Sequence, residues 1–269
     1  MIKLTPKIKT KIPVFADCIT PDNLSGKTPD EIKKLKLLHG NKEKELGDLF
    51  EVSGSAGDEI TIKGDALMFR NIGQGMTRGK IAISGNAGMH LGAQMEGGEI
   101  IVEGDAGDWL GAEMKGGLIR VKGNAGSLAG AAYRGGDGGM DGGIMIIGGS
   151  AGNEVGNYMK LGTLVVMGDT GTFCGTHMKG GTLVCFGNIG KRAGAEMQDG
   201  SIVAMNPIEL LPTFKSNTIT NPTFIRLLLL ELRKYGVDVA DKYVNGLYDR
   251  ISGDFAEKGK GEIFVFNGR

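Results

Sequence analysis

Three cysteines (Cys18, Cys174, Cys185) and three histidines (His39, His90, His177) are the residues of this 269-residue chain best suited to nucleophilic or metal chemistry. Their spacing does not support either. There is no Cys-x-x-Cys pair, no His-Glu-x-x-His and no P-loop, so local ligand sets and phosphate cradles are not expected. Seven methionines recur regularly (Met76, Met95, Met114, Met140, Met159, Met178, Met197). A sulfur ladder of this kind suits a soft metal, yet methionine also fills irregular interior space beside glycine, and that reading is adopted. A series Asp65, Asn86, Asp105, Asn124, Ser150, Asp169, Asn188 suggests calcium repeats. Four of these seven positions carry no charge, and corner turns use the same residue types. Glycine-rich corners can hold anions through backbone N–H groups, although folding already accounts for these glycines.

The elements that position these residues follow from a repeat. Glycine makes up 48 of the 269 residues, where about 7% is usual. Gly-x-x-Gly-x-x-x-Gly begins at Gly85, Gly104, Gly123, Gly149, Gly168 and Gly187, at intervals of 19, 19, 26, 19 and 19. The long interval holds RGG at 134–136 followed by DGGMDGG at 137–143, which reads as a duplicated half-repeat. A second phrase, Gly-x-x-Met-x-x-Gly-x-Ile-x-Val-x-Gly, interlocks with the first from GQGMTRGKIAISG at 73–85 to GAEMQDGSIVAMN ending at 206. An incomplete leading copy, GSAGDEITIKGDA, occupies 54–66. Short period-2 strands alternating with glycine corners predict a mainly β chain. The expected fold is a right-handed parallel β-helix of about seven 19-residue coils.

Stacked coils turn repeat positions into columns. The methionines are expected to point inward, with Tyr133 in the duplicated half, beside Ile81/Ile83, Ile100/Val102, Ile119/Val121 and Leu183/Cys185. Gln94, Glu113, Tyr158, His177 and Glu196 form a mixed outward column. Lys115, Arg134, Lys160 and Lys179 form a basic stripe, either a solvated face or a contact for an acidic partner. Ile144/Ile146, Val165/Met167, Val184/Phe186 and Val203/Met205 face outward but are apolar. Water does not tolerate a contiguous surface of that size, so either the chain's own tail, which is favoured, or another subunit covers it. Lys115, Arg134, Lys160, Lys179, Val165, Val184 and Phe186 are therefore the candidate partner-contact residues.

Residues 1–53 read as a cap, with Thr28-Pro29-Asp30-Glu31 opening a basic helix that ends near His39-Gly40. The repeat domain spans 54–206. The tail, 207–269, contains a helix over Pro222–Tyr235 and ends in a candidate strand within GKGEIFVFNGR. Thirty-one basic residues balance thirty-one acidic ones, which argues against nucleic acid as a partner. No apolar run is long enough for a membrane span or a signal peptide. Three scattered cysteines argue for an intracellular, cytoplasmic chain without a disulfide framework.

The interlocked phrases, the cap and the short helical tail resemble the C subunit of formylmethanofuran dehydrogenase from methanogenic archaea. The C-terminal domain of the large subunit of glutamate synthase carries similar coils, but 269 residues leave no room for its amidotransferase and flavin-binding parts. The resemblance implies a non-catalytic scaffold, with no catalytic, cofactor or metal residue of its own. The complex would reduce CO2 and fix it on methanofuran as a formyl group, the first step of methanogenesis from CO2. Its tungsto- or molybdopterin, iron–sulfur clusters and binuclear metal site would sit in other subunits (pterin-binding, amidohydrolase-like and iron–sulfur chains). Two alternatives remain. One is the equivalent subunit of a formyltransferase/hydrolase complex, with the same fold and no redox step. The other is a stand-alone β-helix binding protein, which needs stacking aromatics on one face; only 16 aromatic residues disfavour it.

Overall fold

The computed structural model describes residues 1–8, 10–55 and 57–268. The interlocked repeats build one side of a large parallel sheet. Strands β6 (Glu59–Ile62), β8 (Lys80–Ile83), β9 (Glu99–Val102) and β10 (Leu118–Val121) pair in register with β11 (Asp141–Ile147), β12 (Leu161–Val166), β13 (Lys179–Cys185) and β14 (Asp199–Ala204). A second parallel ladder runs through Ala66, Ala87, Ala106, Ala125, Ala151, Thr170 and Ile189. Each repeat therefore lies directly on the one before it, joined at two places per turn.

Translation by one repeat explains the columns. Met76, Met95, Met114, Met140, Met159, Met178 and Met197 are all fully buried, beside Ile81, Ile100, Ile119, Leu164, Leu183 and Ile202. The glycines are required where consecutive turns touch. A Cβ at Gly116 would run into the Glu96 carbonyl oxygen, and Gly117, at φ +83°, adopts a backbone that favours glycine. The Asp/Asn/Ser series closes the stack rather than local turns. Asp105 accepts from the Asn124 N–H at 2.7 Å, Asn124 from the Ser150 N–H at 2.8 Å, and Asp169 from the Asn188 N–H at 2.6 Å.

The ends differ from the sequence reading. At the N-terminal end, β1 (Ile2–Pro6) pairs with β6, and β5 (Phe50–Gly54) pairs antiparallel with β1. Between them lie β2 (Val14–Phe15), α1 (Pro21–Leu24), α2 (Pro29–Lys33), β3 (Lys36–His39), β4 (Lys42–Glu45) and α3 (Leu46–Leu49). A smaller sheet of β4, β3, β2 and β7 (Phe69–Arg70) flanks the stack. The Thr28/Glu31 capping box forms, but its helix stops at Lys33 instead of continuing to His39. Residues 36–45 pair as a hairpin around Gly40, whose φ of +63° suits a tight turn. At the other end, α4 spans Thr223–Lys234, in keeping with the apolar pattern there. The tail is not mainly helical, however. Besides α5 (Asp241–Asn245), it contains β15 (Lys215–Thr220), β16 (Tyr248–Gly253) and β17 (Gly261–Phe266). Strand β17 adds in parallel to β14, with β16 and β15 antiparallel beyond it.

The tail also covers the apolar outer strip. Ile146, Val165, Val184, Val203 and Met205 form a second buried cluster with Ile225, Leu229 and Leu232 of α4 and with Val237, Val244, Tyr248 and Phe264. Val165 and Val184 are completely buried and Phe186 is partly covered, packing edge-on to Tyr243 at 5.8 Å. Val165 and Val184 therefore belong to this chain's own interior, and Phe186 lies at its edge. Among the described residues no helix is long and apolar enough to cross a membrane.

Candidate functional site

Each repeat reverses direction at residues that hold a left-handed backbone without being glycine. One column contains His90, Trp109, Leu128, Glu154, Phe173 and Arg192, at φ from +57° to +65°. A second contains Gln94, Glu113, Tyr158, His177 and Glu196, at φ from +53° to +58°. The conformation is kept because their N–H groups bond to the next turn: Trp109 to the Ser127 carbonyl at 2.9 Å and His177 to the Ala195 carbonyl at 2.9 Å. An L-residue pays a steric penalty there that glycine avoids. The side chains stand outside the stack, above its neighbours' corners.

Trp109, Tyr133 and Tyr158 stand on this corner face. Trp109 lies 5.0 Å from the ring of Tyr133 and 6.2 Å from that of His90. His90 Nδ1 is 3.0 Å from the Tyr133 hydroxyl. Burial, with the charge of Arg70 added, lowers the His90 imidazole below its ordinary value. Burial, with the Glu113 carboxylate added, pushes the Tyr133 phenol up to about 12. Both partners are thus held neutral near pH 7. Further along, Tyr158 stacks on His177 at 4.4 Å, and Lys179 Nζ lies 5.4 Å from the centre of the Tyr158 ring.

The long repeat shapes this face. Met140 N donates to the Gly130 carbonyl, as Met114 N does to that of Gly111, so Met140 and not Tyr133 takes the interior methionine seat. Residues 133–139 are extruded as a loop, and Tyr133 turns outward onto Trp109. The seat after each methionine is filled by Glu96, Lys115, Asp141, Lys160, Lys179 and Gln198, whose N–H groups each reach a methionine carbonyl one turn back. Arg134 therefore falls outside the basic stripe, and an aspartate interrupts it. Two of the lysines are also neutralised: Lys115 pairs with Glu96 at 2.7 Å and Lys179 with Asp137 at 2.9 Å. Of the expected basic contact residues, Arg134 stands alone on the loop and Lys160 lies beside its glycines.

The loop borders a cleft of about 520 Å³ lined by Trp109, Leu128, Tyr133, Arg134, Asp137, Glu154, Asn157 and Tyr158. On its other side a hollow of about 460 Å³ is bounded by Phe15, Leu38, Gln74, His90 and Tyr133. Sequence reading places His177 and Tyr158 on an outer column but overlooks Trp109 and its neighbours. The available signal is the sixth position of Gly-x-x-Gly-x-x-x-Gly, which changes from His to Trp, Leu, Glu, Phe and Arg between fixed glycines.

The three cysteine thiols are held protonated. Burial raises the thiols of Cys18, Cys174 and Cys185 to about 12, so none is a thiolate ligand or nucleophile near neutrality. Among the described residues no three His, Cys, Asp or Glu side chains converge as a metal site.

A repeat-built parallel stack defines the class. The sequence model of the GXGXG motif family matches residues 60–219, and the chain belongs to that family. It is 45% identical over 97 residues to the C subunit of the tungsten-containing formylmethanofuran dehydrogenase 2 of Methanothermobacter wolfeii, covering 34% of this chain and 36% of that one. It is 45% identical over 93 residues to the C subunit of the molybdenum-containing formylmethanofuran dehydrogenase 1 of Methanosarcina barkeri, covering 33% and 31%. These alignments span about a third of the curated relatives' length. A chain in the crystal structure of the formyltransferase/hydrolase complex from Methylorubrum extorquens, solved with methylofuran, superposes with a TM-score of 0.92 at 34% identity, covering 98% of both chains.

Proposed function

We propose that this chain is the non-catalytic scaffold subunit of a formyltransferase/hydrolase complex, a cytoplasmic assembly that moves a formyl group without a redox step. The observation that carries this reading is the extent of the similarity to the Methylorubrum chain. At 98% coverage of both chains it includes the N-terminal cap and the mixed α/β tail as well as the repeats. Glycine corners impose much of the likeness within any stretch of repeats, whereas the flanks are free to differ. The stack itself is read as a right-handed parallel β-helix, and a furan-bearing one-carbon carrier would be handled by partner chains. The dehydrogenase reading is the second, supported by the higher local identity to the C subunits of the tungsten and molybdenum enzymes. It would add pterin-bound tungsten or molybdenum, iron–sulfur clusters and a binuclear metal site in other subunits, with methanofuran as substrate.

The two readings separate on one preparation. The chain is tagged in its own host, and the co-purifying chains are identified by mass spectrometry with elemental analysis of the same sample. Formyltransferase-like and hydrolase-like partners without molybdenum, tungsten or stoichiometric iron are expected. A pterin-binding partner with molybdenum or tungsten would replace this reading with the dehydrogenase.

A further inference from the structure

The seven residues that lengthen one repeat add no strand to the stack, though the Gly139 N–H donates to the Tyr158 carbonyl at 2.8 Å and Asp137 pairs with Lys179 at 2.9 Å. Joining Ala132 directly to Met140 would leave Gly130-Ala131-Ala132-Met140-Asp141-Gly142-Gly143, the Gly-x-x-Met-x-x-Gly phrase of every other repeat. The loop nevertheless lies on the one face where the chain stacks Trp109, Tyr133 and His90, and Tyr133 locks onto His90 at 3.0 Å. Large side chains at the left-handed corners point the same way. Glycine or asparagine would hold those turns at less cost, and strain of this kind concentrates at sites selected for function.

We propose that the corner face around the 133–139 loop seats a partner subunit, which places an apolar or aromatic side chain in the cleft and a carboxylate against Arg134. The proposal rests on the reading of the chain as part of a multi-subunit assembly. Charge favours that occupant. Lys115 and Lys179 are already paired within the chain, but among the described residues Arg134 forms no ion pair and is exposed at the cleft rim. Glu154 on the cleft wall repels a uniformly anionic ligand, so a nucleic acid or polyanion suits the site poorly. A mixed polypeptide surface suits it well. Tryptophan, tyrosine and arginine around a desolvatable pocket are the residues that dominate protein interfaces.

The test uses the full-length chain assembled with its co-purifying partners. Deletion of 133–139 should fold like the parent, with the same far-ultraviolet circular dichroism, because it restores a regular repeat. It should no longer be retained by the partner chains. Arg134→Glu, which among the described residues breaks no ion pair, should weaken retention about tenfold or more. Trp109 is the only tryptophan, so fluorotryptophan incorporated in this chain should shift its 19F signal on assembly. Folded variants that assemble as tightly as the parent, or an unmoved 19F signal in the complex, overturn the proposal while leaving the scaffold reading intact. A parent chain that retains no partner at all overturns the scaffold reading, and this inference falls with it. If the deletion variant misfolds, Arg134→Glu and the 19F signal still decide.

Discussion

The Asp254 carboxylate accepts the backbone N–H of Glu196 at 3.0 Å, a bond that elsewhere goes to the next repeat. Gln94, Glu113, Tyr158 and His177 donate the equivalent N–H to the carbonyls of Ala112, Ala131, Thr176 and Ala195. A side chain from the tail thus replaces the turn that would have followed, and it also binds the Ala256 N–H at 2.8 Å. Asp254→Ala should cost about 1–3 kcal/mol by leaving these donors unpaired. Asp254→Asn, which keeps one carbonyl oxygen, should lose roughly half as much. Urea unfolding of the three proteins at pH 7 measures both.

The same residue makes a pH prediction. Burial alone would raise the Asp254 carboxyl, but the hydrogen bonds it accepts outweigh burial and hold it below its ordinary 3.8. Because the unfolded chain binds the proton more readily, this contribution is complete above the unfolded value. It fades as pH falls through the lower folded one. The parent should therefore lose stability faster than Asp254→Asn between pH 4 and lower values. Parallel acid-titration curves for the two would contradict that assignment.

The tail and the corners are the least legible parts of the chain, for a physical reason. A repeat can be read because each column is sampled again every 19 residues, which is why the Met and Ile/Val seats and the apolar strip can be placed from sequence. Asp254 occurs once, and nothing local marks it as a substitute for a missing turn. Strand β15 is exposed along most of its length and has no alternation to read. The register of the long repeat is ambiguous in sequence because Tyr133-Arg134-Gly-Gly and Met140-Asp141-Gly-Gly both fit the phrase. Only the Met140 N to Gly130 O bond decides between them. The aromatic face is hidden because its members sit at variable positions, where side-chain stacking follows from the fold rather than from a motif.

Met114 tests the interior column. It is fully buried between repeats, and its methyl group lies where a Cβ on Gly143 would meet it. Met114→Ala should cost about 2–5 kcal/mol, the usual range for emptying a packed seat of that size. Met114→Leu, close in volume, should cost less than about 1.5 kcal/mol. Thermal melts rank the two, and equal effects would mean the seat is loosely packed.

The Asp/Asn/Ser series should behave as a hydrogen-bond ladder and not as a cation site. Asp105→Ala removes the acceptor for the Asn124 N–H and should cost about 1 kcal/mol. Asp105→Asn should be nearly neutral, since Asn86 and Asn124 fill the same seat in neighbouring turns. Melting with excess calcium or with chelator should leave the parent unchanged. A calcium-dependent rise in Tm would show that the carboxylates hold an ion.

Opposite charges beneath the tail test which surface the outer strip serves. Val165 and Val184 are adjacent on neighbouring strands, paired in register, and both are fully covered by the cluster containing Ile225, Leu229 and Leu232. An aspartate at Val165 and a lysine at Val184 would each have to leave water in a space that offers an apolar lining. Even as a pair they recover only part of that cost. Each single variant should destabilise the chain by about 3 kcal/mol or more, within the range seen for unpaired buried charge. The double variant should lose less than the sum of the two. Hydrogen exchange should show α4 opening first, because its apolar face has lost its seat. Variants that keep α4 protected and melt with the parent would mean that the strip is not held by the tail.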